Sequence, residues 1–173
     1  MIEAWLNRKK KGLYMVINED WIARVKVWIE RDFPNSSTAG YEITSADTID
    51  YNCIAWATGD NQRWWWSDSQ NIDYWPEGVP REVTLDAFIQ AFKSIGYEVC
   101  ASNNLESGFQ KIAIYADYTG KPTHAARQLL NKKWTRKLGQ DEDIEHETLE
   151  GIMGEAYGSV VCIMKKIINL DSQ

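Results

Sequence analysis

This chain lacks a basic face. Nineteen Lys and Arg stand against 25 Asp and Glu, for a formal net charge of −6. Partners that present phosphate, such as nucleic acid or an anionic membrane, are recognised by clustered cations, so this balance argues against both. The one basic run, "NRKKKG", sits at the N-terminus and reads as a solvated tail. No stretch approaches the ~20 consecutive apolar residues of a membrane span. The apolar "LYMV" is too short for the core of a secretion signal. There is no C-x-x-C pair among three widely spaced cysteines, which disfavours a disulfide framework or a zinc site and favours reduced thiols in the cytoplasm. A Gly-rich phosphate loop is missing, and neither of the two histidines stands at ligand spacing from a cysteine or from the other. No cofactor or metal is therefore expected.

Tryptophan is abundant instead, with nine in 173 residues. That length suits one domain, and we read residues 1–17 as a lead-in and 18–173 as a single folded unit. "EDWIARVKVWIERDF" places Trp21, Val25, Trp28 and Ile29 on one helix face, with Asn18 as its cap. "PNSSTAGYEITSADTID" is polar and turn-rich, and reads as a connector. "NCIAWATG" reads as a short helix capped by Asn52 or Asp50 and stopped by Gly59. "TLDAFIQAFKSIG" is an amphipathic helix capped by Thr84. After Gly96 the period changes to that of strands in "YEVC", "QKIAIYAD", "THAARQL", "WTRKLG" and "SVVCIMKKI". The acidic "QDEDIEHETLEGIMGEAYG" reads as loop plus short helix. Helices first and an antiparallel sheet second give an α+β expectation.

Cys53 opens the short helix, where the positive end of the backbone dipoles favours a thiolate. A small apolar core residue would sit there equally well. A nucleophile needs a base, and His124, at the start of a strand–turn–strand, could supply it. His146, ringed by carboxylates, reads as lying on a solvated segment. Trp64, Trp65, Trp66, Tyr74 and Trp75 fall in one long aromatic loop. They could stack on a substrate, or simply pin the loop over the sheet.

The order of "YNCIAWA" and "HAARQLLNKKWTRKLG", with its W-x-x-K-x-G strand, resembles the papain-like superfamily and within it the NlpC-type amidohydrolases. The chain also resembles an uncharacterised bacterial family with "NCIAWA", "HAARQL" and a Trp-rich loop. The superfamily resemblance implies a papain-like fold and a cysteine hydrolase or acyltransferase acting on an amide or ester of a peptide, protein or small amide. Cys53 would be the nucleophile and His124 the base. Ile54 and Ala55 replace the family's Ser-Gly pair, and the hairpin alignment puts the cation Arg136 where a polar residue would orient the histidine. The orienting role then passes to Asp143, Glu145 or His146, with Asp143 preferred because a carboxylate stabilises an imidazolium. Asn52 and Tyr51 could join the Cys53 N–H in meeting an oxyanion. The departures also suit a binding module of this fold that has lost catalysis. A small acidic immunity or inhibitor protein, binding through the aromatic loop or the acidic segment, is a further reading.

Overall fold

The structure, a computed structural model, describes residues 19–168. The lead-in, its basic run and the Asn18 cap lie outside them. The described chain runs through α1 (Glu19–Asp32), α2 (Ser36–Ala39), β1 (Tyr41–Ile43), α3 (Cys53–Thr58), α4 (Leu85–Ser94) and β2 (Glu98–Cys100). Then follow β3 (Phe109–Ala116), β4 (Pro122–Gln128), β5 (Trp134–Lys137), β6 (Asp143–His146), a 3₁₀ turn at Leu149–Ile152 and β7 (Ser159–Ile167). The seven strands make one antiparallel sheet in the order β1-β6-β5-β4-β3-β7-β2.

This corrects the expected class. The domain is β-rich, and the papain-like arrangement of N-terminal helices packed on a C-terminal sheet does not form. Two of the four helices span only 4 and 6 residues, too little for a helical layer. Two segments read as loop are strands that find each other: "YEI" of the connector pairs with "DIEH" of the acidic stretch, Tyr41 opposite His146 and Ile43 opposite Ile144. Neither strand could be recognised alone, because each is short and takes its ladder from segments distant in sequence, β1 from β6 and β6 from both β1 and β5.

Both faces of the sheet are covered. Successive strand residues point to opposite sides, so Ile112, Ile114 and Ala125 meet α3, α4 and the aromatic loop. Ala113, Tyr115 and Ala126 meet α1 and the 3₁₀ turn. Fully burying side chains such as Ile112 and Ile114 stabilises by about 1.5–3 kcal/mol each. Helix α1 contributes Val25 and Ile29 from its predicted stripe. Helix α4 starts as its sequence predicts, with the Thr84 hydroxyl accepting the Ala87 N–H. No helix among the described residues is long and apolar enough to cross a membrane.

Candidate functional site

Asn52 fixes where α3 begins. Its Oδ1 accepts the Ala55 N–H at 3.1 Å and the Trp65 N–H at 3.3 Å, while its Nδ2 donates to the Trp65 carbonyl at 2.9 Å. The cap is thus tied to the aromatic loop, and Cys53 is held in the first helical turn, only 6% exposed. There the Ala125 N–H is directed at its sulfur. Burial pushes the thiol up to about 11, against the pull of that N–H and of the nearby Arg136 charge. The resting group is a thiol.

The neighbouring strand residue, His124, projects from the other face of β4. Its ring stacks on Tyr157 at 3.9 Å and meets the edge of Tyr115 at 5.7 Å. The stacking ring is placed by a tight approach. Gly158 has φ +74°, and a Cβ there would stand 1.8 Å from the Ala116 carbonyl oxygen. Only glycine lets the chain pass so close, and Thr123 Oγ1 donates to the Tyr157 carbonyl at 2.6 Å. His124 is completely buried, and neither ring nitrogen has a hydrogen-bond partner. Burial, reinforced by Arg136 and His146, holds its pKa well below the ordinary value, so the imidazole is neutral.

Arg136 connects the two groups, being close enough to act electrostatically on both Cys53 and His124. Tyr157 likewise touches His124 and feels Cys53. The guanidinium is fully buried. Its Nε donates to His146 Nε2 at 2.6 Å and one Nη to the Tyr115 hydroxyl at 3.0 Å. The other, Nη1, has no partner, and no carboxylate among the described residues pairs with this cation. His146 is buried rather than solvated, its Nδ1–H donating to the Thr148 carbonyl at 2.6 Å.

The remaining predicted site residues have other engagements. Asp143 lies on the α3 side of β6 and accepts the Tyr51 hydroxyl at 2.6 Å. It does not hydrogen-bond to His124, on which the charge of Arg136 acts instead. The Tyr51 hydroxyl is thus given to Asp143 and one of the two Asn52 amide N–H groups to the Trp65 carbonyl. In the aromatic loop Trp65 and Trp75 are buried, while Trp64, Trp66 and Tyr74 are half-buried. Trp64, Trp65 and Trp75 donate their indole N–H groups to the Ile49 carbonyl, Asp60 and the Pro80 carbonyl. Trp66 and Trp75 pack on Phe88 of α4. Tyr115 and Tyr157 were not singled out from the sequence. Tyr115 could have been found from the alternation of "KIAIYA", which puts it on one face with Ala113; nothing local marks Tyr157.

Among the described residues no group of three His, Cys, Asp or Glu side chains is arranged to hold a metal. No curated protein and no solved structure matches the chain. A family model does, over residues 42–165, a span that contains Cys53, His124, Arg136 and the aromatic loop. The chain belongs to the family described as a domain of unknown function, DUF7689.

Proposed function

We propose that Cys53 and His124 serve as nucleophile and base in acyl transfer from an amide or ester, as in cysteine hydrolases of the NlpC type, on a different sheet framework. The observation that carries this reading is the pair of unpartnered nitrogens on a fully buried imidazole. Leaving such a group unsatisfied costs about 1–3 kcal/mol, which a packing role would avoid with phenylalanine. Cys53 and His124 stand on opposite faces of β4. The thiol proton would therefore reach the ring through the opening beside β4, which pairs with β5 only at Arg127 with Thr135 and Gln128 with Trp134, and would give the ring the bond it lacks. The Cys53 sulfur would attack the carbonyl carbon as His124 accepts the thiol proton. Collapse of the tetrahedral adduct returns that proton to the leaving group, and water then cleaves the thioester. Arg136 Nη1, an unused donor with a full charge, suits the developing oxyanion better than Asn52 or Tyr51 does. Substrate would enter by displacing the Gly154–Gly158 turn, exposed at residues 154–156, whose Tyr157 ring covers His124. All three cysteines are free, which supports a reducing, cytoplasmic setting.

The test uses p-nitrophenyl acetate on protein whose half-exposed Cys100 has been changed to serine. One equivalent of p-nitrophenolate is expected in a burst, with the acetyl group located on Cys53 by mass spectrometry. Cys53→Ala and His124→Ala should abolish it. Because burial keeps His124 neutral through and below the ordinary histidine range, the burst rate should show no inflection near pH 6.5. It should climb only as the thiol itself ionises toward 11. No adduct on Cys53 would return that residue to the core and leave the non-catalytic binding readings.

A further inference from the structure

A second group of cations lies away from Cys53, on the α3 and α4 side of the sheet. Arg127 of β4 stands opposite Ile112 of β3, and Met164 of β7 stands opposite Ile112 on its other side. Lys166, two residues beyond Met164, projects from the same face. Tyr97, just after α4, lies over this end of the sheet, with the Lys166 ammonium 4.8 Å from its ring. The Arg127 guanidinium lies 5.0 Å from the Trp56 ring. Gly59, which ends α3, leaves it room: a Cβ there would come within 3.3 Å of Arg127 Nη1.

Two polar atoms in this cluster are buried without a partner, Arg127 Nε and the hydroxyl of Tyr97, itself only 3% exposed. The two cations also repel one another, and the Arg127 charge adds to burial in lowering the Lys166 pKa. Among the described residues no carboxylate pairs with either. That is unexpected in a chain with six more acidic than basic residues. The next residue along, Lys165, does have its carboxylate, Glu106 at 3.0 Å. Contacts with aromatic rings ease the burial of a cation but leave its charge in place. A single carboxylate would neutralise half of this pair. A phosphoryl group, carrying about −1.5 to −2 at neutral pH with three acceptor oxygens, matches both charges and both unused donors.

We propose that Arg127, Lys166 and the Tyr97 hydroxyl form a binding site for a phosphoryl group. The test titrates inorganic phosphate into the full chain at constant ionic strength, following heat release and the unfolding temperature, with acetate as comparator. Phosphate should bind saturably and raise the unfolding temperature. Lys166→Met should weaken it at least tenfold and Tyr97→Phe several-fold, while Lys165→Met should leave it unchanged. These variants spare Arg127, whose loss could unfold the protein. Tighter binding of phenyl phosphate than of inorganic phosphate would identify a phosphate ester as the source, and the reverse would identify the free ion. No saturable binding, an equal response to acetate, or undiminished binding by Lys166→Met would overturn the assignment.

Discussion

The two histidines flank the same arginine and live in opposite circumstances. His146 has both nitrogens used, one accepting from Arg136 and the other donating to the Thr148 carbonyl. His124, equally buried, uses neither. A side chain at one end of Arg136 is thus part of a finished network, while its counterpart is left incomplete. Networks that are fully satisfied specify a core, whereas an unsatisfied member costs stability and calls for another explanation. The difference separates a structural histidine from one held ready for a proton.

Stability measurements should expose that difference most strongly. His146→Leu strands the Arg136 Nε and the Thr148 carbonyl, and should lower the unfolding free energy by about 3 kcal/mol in urea titrations. His124→Phe, which replaces an unpartnered ring by one of similar shape, should be neutral or stabilising by up to about 1 kcal/mol. Equal losses from the two variants would erase the distinction.

A smaller effect appears in the pH dependence. Both histidines have folded pKa values below their unfolded ones, chiefly from burial. The unfolded chain therefore takes up protons that the folded chain refuses as pH falls below about 6.5. Stability contributed by the neutral rings is complete above that pH and is lost on acidification, at up to about 1.4 kcal/mol per pH unit for each histidine. Replacing His124 by Phe should halve the histidine part of the slope between pH 6.5 and 5 in a series of unfolding curves. An effect of comparable size concerns the shared support. Tyr115→Phe deletes a hydroxyl that accepts from Arg136 and donates to the Leu149 carbonyl at 2.9 Å, and should cost about 1–2 kcal/mol.

What the sequence disclosed follows from how local each signal is. The α3 and α4 boundaries were legible because Asn52, Gly59 and Thr84 act within four residues of themselves. Cys53 and His124 could be nominated from their order, whereas Arg136 entered only through the hairpin alignment, as a cation where a polar residue was expected. The burial of Asp143–His146 was not legible, since charged residues usually face water, and the partners that admit them, Tyr51 and Arg136, come from distant or differently read segments. For the aromatic loop the sequence left two roles open, stacking on a substrate or pinning the loop over the sheet, and the pinning contacts come from distant residues. Trp64 and Trp65 spend their indole N–H on the chain's own acceptors. Trp66 packs edge-on against Phe88.

The place of β7 has a consequence for how the chain is made. It lies between β3 and β2, and among the described strands it is the one partner of β2. As the polypeptide leaves the ribosome, β2 waits for more than fifty residues before its ladder can close, and one side of β3 waits with it. Until Ser159–Ile167 emerges, the nascent sheet presents two unsatisfied strand edges, the kind of surface that holdase chaperones cover. Sequence changes in β7 should therefore act on the yield of folded protein during synthesis more than on the rate of any chemistry at Cys53.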